Sequence, residues 1–325
     1  MNTPGFWQHR GMRSTCLLPL SALYALGAWL DRRFTRPRRA PLPVISVGNV
    51  TAGGAGKTPT TLALAALLQA SGAQPHILTR GYGGAARTAH RVSAHDTAAT
   101  VGDEALLLAR AAPTWVGRDR YASALAATAA GASLLLCDDA LQHHALVKTL
   151  SLLVVDGAYG LGNGRLLPAG PLREPLAAAL DRTDAVVMIG PDATGLTSRL
   201  RCPVFMAALQ PCGDTSNLQH GRWLAFAGLA RPEKFFTSLR DLGATLAATR
   251  AFPDHYAYTP ATLATLRREA EALGACLITT EKDAVKLATE DRAEVAVLPV
   301  ALRFLDDTAF QSWLQARIRQ RDDAV

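Results

Sequence analysis

A strand, a glycine-rich loop and a helix follow one another between residues 43 and 72, and this succession constrains the fold more than any other feature. The apolar run PVISV leads into the loop, and the helical pattern TPTTLALAALLQASG leaves it. The loop consists of Thr51, Ala52, Gly53, Gly54, Ala55, Gly56, Lys57 and Thr58. Glycines let backbone N–H groups turn toward phosphate oxygens, the lysine adds a positive charge, and the threonine hydroxyl can ligate Mg²⁺. The sequence therefore predicts a phosphate-binding Walker A loop in an α/β protein.

The loop departs from the pattern GxxxxGK[ST] at one place, because Thr51 occupies the first glycine position. The flanking helix signals support the assignment, since Pro59 in the first turn loses no hydrogen bond and Gly72 lies near the expected end. A related class of membrane-associated partitioning ATPases carries a signature lysine early in this loop. Ala52 at the corresponding position argues against that class.

Carboxylates end a second apolar run, LLLCDD at residues 134–139. A buried strand that brings an aspartate to the edge of the sheet beside the phosphate loop is typical of a Walker B motif. We expect one of Asp138 and Asp139 to ligate Mg²⁺ and the other to organise water or the nucleophile; the alternative is a solvated turn. Glu104 is a further metal candidate, although with Asp103 it could simply cap a helix.

Positive charge is concentrated at the amino end of the chain. Of the net charge of +7, residues 1–40 carry +6 from seven Arg and one Asp, and the other 285 residues carry +1. A nucleic-acid groove needs positive charge spread over the folded body, so no nucleic-acid partner is predicted. The five cysteines show no CxxC spacing, which favours a reducing cytosol over a disulfide framework or a zinc site.

An uncharged apolar run occupies residues 16–30, with arginines on both sides. It is shorter than the ~20 residues that a membrane-spanning helix needs. We expect a helix lying in the interface of an anionic membrane, with Trp7, Tyr24 and Trp29 at headgroup depth. The alternatives are a cleaved signal peptide, which would lack a small-residue cleavage site, and a core helix with a solvated basic end.

Alternating strand-like and helical stretches predict a P-loop NTPase-type parallel sheet with helices on both faces. The strand-like runs are 43–49, 76–79, 134–139, 151–156, 185–190 and 204–208. A polar segment then precedes a second alternation of strands and helices. The predicted organisation is a membrane-associated helix at 1–40, a P-loop kinase core at 41–210, a linker at 211–222 and a smaller α/β domain at 223–325 that closes the cleft.

Several longer strings occur together in one order. They are GNVTAGGAGKTP, LTRGYGG, GDE, DD-x-x-QH, GNGRLLPAGPLREP, FAGLARPEKFF, FPDHYAY and TTEKDAVKL. In order and spacing the chain resembles the tetraacyldisaccharide 4'-kinases of lipid A biosynthesis from about residue 16 to about residue 305. It departs from the family at Ala140-Leu141, usually Gly-Phe, at Ala105, usually Pro, and at Lys148-Thr149, often Arg-Asp.

The resemblance implies an ATP- and Mg²⁺-dependent kinase at the cytoplasmic face of the inner membrane. It would phosphorylate the 4'-hydroxyl of an acylated glucosamine disaccharide 1-phosphate to give lipid IVA, without an obligate protein partner. A sugar hydroxyl must lose its proton during transfer. We assign the base to Asp103 with His255 as its partner, and count Lys57 and Asp139 as catalytic. The expected substrate-contacting residues are Asn49, Arg80, Tyr82, Gln142, His143, Asn163, Arg173 and Glu174.

Two other classes predict features that the sequence lacks. A membrane-attached GTPase switch would carry a guanine-specific NKxD string after the Walker B strand, and none is present. A scaffold that had lost its chemistry would lack a principal charged group, yet Lys57, Asp103, Asp138, Asp139 and His255 are all present.

Overall fold

The computed structural model describes residues 4–322, apart from the side chains of residues 321 and 322. Residues 1–3 of the predicted amino-terminal segment and residues 323–325 of the predicted second domain lie outside the described residues. The strands are β1 Val44–Gly48, β2 Pro75–Thr79, β3 His90–Arg91, β4 Thr114–Val116, β5 Leu134–Asp138, β6 Leu150–Asp156, β7 Ala185–Ile189, β8 Val204–Pro211, β9 Arg222–Ala227, β10 Thr245–Ala251, β11 Cys276–Thr280, β12 Ala296–Leu298 and β13 Val300–Phe304.

Helices connect most of these strands. They are α1 Met12–Cys16, α2 Leu18–Phe34, α3 Lys57–Ala70, α4 Ala98–Val101, α5 Asp103–Leu108, α6 Arg120–Ala129, α7 Leu176–Leu180, α8 Pro232–Asp241, α9 Pro260–Ala272, α10 Glu281–Ala284, α11 Thr289–Ala293 and α12 Asp307–Asp322. Short 3₁₀ helices lie at Gly5–Trp7, Thr197–Arg199 and Ser216–His220, the last within the predicted linker.

A nine-stranded sheet of order β13-β8-β7-β6-β1-β5-β2-β4-β3 forms the larger part of the fold. Its strands run parallel except at the two edges, where β13 pairs antiparallel with β8 and β3 pairs antiparallel with β4. β1 lies between β5 and β6, with Val47 opposite Asp138 on one side and Gly48 opposite Leu153 on the other. The predicted α/β class with a large, mostly parallel sheet is confirmed, and the phosphate loop and the two aspartates leave the same edge of it.

Both faces of the large sheet are buried, because alternate residues of each strand point to opposite sides. Ile45 and Val47 pack in one cluster with Leu64 of α3. Val44, on the other face, packs with Ala124 of α6. Buried side chains on both faces hold the strand ends rigidly, so the loops at the carboxyl edge start from fixed positions.

A smaller parallel sheet has the order β10-β9-β11-β12. Phe236 and Leu239 of α8 cover one face, and Leu263 and Leu266 of α9 cover the other. The predicted domain boundary of 223–325 requires the chain to remain with the smaller sheet to its end, but it does not. After β12 it returns to the large sheet, where β13 becomes an edge strand and Phe310 of α12 packs into the same core as α3. The short apolar run VAVLPV at residues 295–300 thus contributes to one strand of each sheet.

The amino-terminal helices lie on the surface, and their apolar side chains are largely exposed. Leu23 is 66% exposed and Trp29 58%, whereas Ser14 and Ser21 are buried. Both serines hydrogen bond to the loop that follows β6, through Ala169 O and Leu166 O. Within residues 4–322, no helix has the length and apolar character needed to cross a membrane.

Trp7 differs from the expectation that it contacts lipid headgroups. Its Nε1 donates a hydrogen bond to Pro168 O at 3.0 Å, so the ring lies against the protein. Tyr24 and Trp29 remain accessible, at 37% and 58% exposed.

Candidate active site

The phosphate loop has the backbone conformation that an anion cradle requires. Gly53 and Gly56 have φ values of 112° and 90°, in the left-handed region that favours glycine. A Cβ on Gly56 would lie 2.3 Å from Ile189 Cδ1, so a larger residue there would require that side chain to move and would also be strained by the positive φ. Lys57 and Thr58 are the first residues of α3, and the free N–H groups of that helix face the loop.

Asp138 is the fully buried carboxylate at the end of β5. Its Oδ1 accepts a hydrogen bond from Thr61 Oγ1 at 2.8 Å, while Oδ2 has no hydrogen-bond partner among the described residues. Burial, with the nearby charges of Glu104 and Asp139, raises the pKa of Asp138 to about 7. A buried carboxylate with an unsatisfied oxygen fits a cation that is bound together with a ligand.

Asp139 points to a different side and is surrounded by positive charge. Its carboxylate lies 3.7 Å from Lys57 Nζ and accepts hydrogen bonds of 3.1 and 3.2 Å from Arg173 Nη1. Although burial opposes ionisation, Lys57, Arg173 and Arg120 together lower the pKa of Asp139. The backbone of Asp139 has φ 47°, and Arg120 stabilises this turn by donating to the carbonyl oxygens of Asp138 and Asp139.

Asp103 and His255 meet although they are 152 residues apart in the chain. His255 Nδ1 lies 2.9 Å from Asp103 Oδ2 and 3.1 Å from Oδ1. Asp103 is the first residue of α5 and is 5% exposed, and His255 lies in the loop after β10 with φ 59°. Although burial opposes it, the hydrogen bond from His255 and the charge of Lys282 lower the pKa of Asp103, while the hydrogen bond to Asp103 raises the pKa of His255.

Lys282, in the first turn of α10, makes a second connection at the same place. Its Nζ lies 3.3 Å from Glu104 Oε1, 3.2 Å from Asp254 Oδ1 and 3.5 Å from His255 Nε2. Burial disfavours the charged lysine, but the carboxylates of Glu104, Asp254 and Asp103 raise its pKa. Lys282 therefore holds the loop of His255 against α5.

The predicted substrate residues nearest the phosphate loop form one hydrogen-bonded chain. Gln142 Nε2 donates to Asn49 O at 2.8 Å and to Glu174 Oε1 at 2.9 Å, and Arg182 pairs with Glu174 Oε2 at 2.7 Å. Asn49 Nδ2 donates to Thr51 O, so these residues support the loop from behind. This arrangement places Asn49 and Glu174, both buried, in the scaffold of the site.

Asn163 differs from its predicted role. It is buried, and its Nδ2 lies within hydrogen-bond distance of Phe6 O, Ser14 Oγ and Ala169 O, while its Oδ1 accepts from Arg165 N. These contacts occupy the whole amide. Asn163 thereby joins the amino-terminal segment to the loop after β6, and its amide is engaged by the protein where contact with the substrate was predicted.

Three other predicted residues differ in how far they are exposed. Tyr82 is 69% exposed, and its ring centroid lies 5.5 Å from that of His255. Arg80 is exposed and makes no hydrogen bond or ion pair within the described residues. His143 is half-buried, and burial together with Arg120 lowers its pKa to about 4, so it is neutral at physiological pH.

The predicted metal ligands do not form a ready-made cage. Across residues 4–322, no three His, Cys, Asp or Glu side chains are grouped so as to hold a metal ion. Asp139 is engaged by Arg173 and Glu104 by Lys282, which leaves Asp138 as the carboxylate with an unsatisfied oxygen. Mg²⁺ commonly takes one or two carboxylates and completes its octahedron with phosphate oxygens and water, so the site fits magnesium bound with a nucleotide.

The sequence analysis did not identify some of the polar and charged residues that complete the site. They are Thr61, Arg120, Asp156, Arg231, Lys234 and Lys282. Lys234 and Lys282 stand inside the strings FAGLARPEKFF and TTEKDAVKL, which the resemblance singled out without a role. Arg120 carries no motif signal, and its burial at 4% exposure is visible only in the fold.

Known proteins are similar to this chain over nearly its whole length. A family model described as tetraacyldisaccharide-1-P 4'-kinase matches residues 13–319. A tetraacyldisaccharide 4'-kinase of Methylobacterium nodulans is 50% identical over 328 residues, which cover 98% of this chain and 96% of the relative. One of Paramagnetospirillum magneticum is 49% identical over 307 residues, covering 93% and 94%.

A solved structure has the same fold. The crystal structure of LpxK from Aquifex aeolicus in complex with ATP superimposes with a TM-score of 0.76 at 28% identity, and the match covers 94% of this chain and all of that one. Since the family model spans nearly the whole chain and the relatives are about half identical over their full lengths, the chain belongs to the tetraacyldisaccharide-1-P 4'-kinase family.

Proposed function

We propose that the chain transfers the γ-phosphate of ATP to the 4'-hydroxyl of tetraacyldisaccharide 1-phosphate, which gives lipid IVA in lipid A biosynthesis. Family membership and the names of the relatives support the reaction. The observation that carries the proposal is the hydrogen bond between Asp103 and His255, which orients a buried carboxylate as a candidate base. A kinase needs such a group, whereas simple nucleotide binding does not.

The nucleotide end of the site is assigned to the loop of residues 51–58. Its backbone N–H groups and Lys57 hold the phosphates, as the two positive-φ glycines and the helix start favour. Asp138 and Thr58 would hold Mg²⁺, which would supply positive charge beside the transferring phosphoryl group. Asp139 keeps Lys57 and Arg173 in place through its two ion pairs.

Asp103 is the proposed base for the acceptor hydroxyl. The pKa of Asp103 is lowered, so its carboxylate is ionised at neutral pH and can accept the proton as transfer proceeds. His255 orients the carboxylate through Nδ1, and Lys282 holds the His255 loop through Asp254. A base of low pKa is sufficient because phosphoryl transfer depends mainly on positioning and electrostatics.

The acylated acceptor is proposed to reach the site from an anionic membrane surface, at the cytoplasmic face of the inner membrane. The apolar side chains of α2 are exposed, and arginines follow that helix. Tyr24 of α2 lies close enough to Arg173 and Glu174 for their charges to act on its phenol, so α2 borders the site. Tyr82, exposed above His255, offers a flat ring for a sugar face.

The test is transfer of labelled γ-phosphate from ATP to a tetraacyl disaccharide 1-phosphate in mixed micelles. We expect Asp103→Ala to lower kcat by about 100-fold or more while ATP still binds, as removal of a general base does. Asp96→Ala, which removes a carboxylate that is 12% exposed and likewise hydrogen bonded to a histidine, His90, is the matched control and should retain full activity. An unchanged kcat for Asp103→Ala would show that another group takes the proton.

A further inference from the structure

The loop that connects β9 to α8 touches the phosphate loop from the opposite side of the cleft. Arg231 Nη2 donates a hydrogen bond to Gly54 O at 3.2 Å. Ala230 lies beside it, with its Cβ 4.0 Å from the position that a Cβ would take on Gly54. The smaller sheet therefore brings an arginine directly to the turn where phosphates bind.

The charges around this arginine do not balance. Asp156, at the end of β6, lies 3.0 Å from Arg231 Nη2 and 2.5 Å from Lys234 Nζ, so one carboxylate serves two cations. The side chain of Asp156 is 8% exposed, and its other oxygen accepts backbone hydrogen bonds from Ala158 and Tyr159. Lys234 alone can neutralise Asp156, which leaves one positive charge in excess beside the phosphate loop.

The guanidinium of Arg231 is also held in a position from which it can reach a ligand. Its Cζ lies 4.8 Å from the ring centroid of Tyr159, and the side chain is 29% exposed. A guanidinium has five N–H donors, and among the described residues the guanidinium of Arg231 makes its hydrogen bond with Gly54 O and its ion pair with Asp156. The remaining donors, together with the stacked ring, suit a planar contact with phosphate oxygens.

We propose that Arg231 is a phosphate-binding residue supplied across the cleft, whose guanidinium contacts the outer phosphates of the nucleotide held by the loop of Gly54. The inference rests on the proposed function only in so far as ATP occupies that loop. When Arg231 turns to the nucleotide, Lys234 keeps Asp156 paired, so no buried carboxylate is left without a counter-ion. The arginine thereby senses whether the β- and γ-phosphates are present.

A purely structural tether would behave differently. An Arg231 that only joins the two sheets through Gly54 and Asp156 would affect every adenine nucleotide equally, because it would change the cleft and not the phosphate contacts. A phosphate ligand discriminates ATP from AMP. Comparing the two nucleotides therefore separates the two roles.

The experiment measures binding to the full-length protein without a lipid acceptor, by calorimetry for ATP with Mg²⁺ and by saturation-transfer NMR for AMP. We expect Arg231→Ala to weaken ATP binding about 10- to 100-fold, the range for one charged hydrogen bond, and to leave AMP binding within about twofold. Arg231→Lys, which keeps the charge without the planar fork, should give an intermediate loss. Arg250→Ala removes an arginine of the smaller sheet that pairs with Glu269, and controls for net charge.

Equal losses for ATP and AMP, or no loss for ATP, would overturn the proposal, provided that circular dichroism shows Arg231→Lys to be folded. A wild-type chain that binds no ATP would refute the proposed function as well. A wild-type chain that binds ATP but phosphorylates no lipid would refute the proposed function alone. The two failures are therefore distinguishable.

Discussion

Replacing Asp138 with Asn removes one buried charge while preserving size and the contact with Thr61. Asp138 is fully buried, and one of its oxygens has no hydrogen-bond partner within the described residues. Burial, Glu104 and Asp139 raise its pKa from 3.8 to about 7. In the unfolded chain the carboxyl of Asp138 has the lower pKa, 3.8. The folded protein without metal therefore binds this proton more tightly than the unfolded chain does.

The consequence for stability has a definite sign and size. Because the folded pKa is the higher one, the contribution of Asp138 is fully present below the unfolded pKa and is lost as the pH rises through about 7. A pKa difference of one unit corresponds to about 1.4 kcal/mol. The difference between the folded and unfolded pKa of Asp138 therefore lowers the free energy of unfolding by about 4 kcal/mol in total, and about 3 kcal/mol of this is lost between about pH 4 and pH 7. Asp138→Asn should lack this decline.

Urea unfolding in EDTA, followed by tryptophan fluorescence at several pH values, measures the difference. The wild-type free energy of unfolding should decline relative to that of Asp138→Asn as the pH rises. Asp241→Asn, which replaces an exposed carboxylate in the last turn of α8, should show the same decline of the free energy of unfolding with pH as the wild type. Mg²⁺ with ATP should restore stability at neutral pH to the wild type alone. Equal pH slopes for wild type and Asp138→Asn in EDTA would refute the reasoning.

Further substitutions test other parts of the site. Lys57→Ala should abolish phosphate transfer, with a melting temperature within a few degrees of wild type; retained turnover in the transfer assay would contradict the assignment. Lys282→Met breaks the bridge between Glu104 and the His255 loop, and we expect kcat to fall about 10- to 100-fold with a smaller change in the KM for ATP. Lys282→Arg should recover part of kcat. If steady-state kinetics showed a higher KM for ATP and an unchanged kcat, Lys282 would not position the His255 loop. Leu23→Ser with Trp29→Ser should reduce co-sedimentation with vesicles containing anionic phospholipid, and unchanged binding would exclude α2 as the contact.

The sequence was most informative where the signal is local. The strand before the phosphate loop, predicted at 43–49, is Val44–Gly48, and the helix after it begins at Lys57. The parallel sheet followed from alternating runs, because each strand of a crossover unit is buried on both faces and therefore uniformly apolar. The exposed α2 was visible as an uncharged run between arginines.

Contacts between distant segments could not be read from the residues alone. β13 joins the large sheet as an edge strand, although it follows β12 of the smaller sheet by one residue. Lys282 and Glu104 are brought together only when the two sheets meet, and no spacing rule connects them. Asn163 was predicted to contact the substrate because it lies in a string that resembles the family. The same residue can instead be structural, since its buried amide makes four hydrogen-bond contacts within the protein.

The most direct test of the account is mass spectrometry of the lipid after incubation of tetraacyl disaccharide 1-phosphate with ATP, Mg²⁺ and the wild-type chain in mixed micelles, with Asp103→Ala alongside. The account predicts a product with one added phosphate on the distal glucosamine, formed by the wild type and nearly absent with Asp103→Ala. Consumption of ATP by the wild type without a phosphorylated lipid would contradict it.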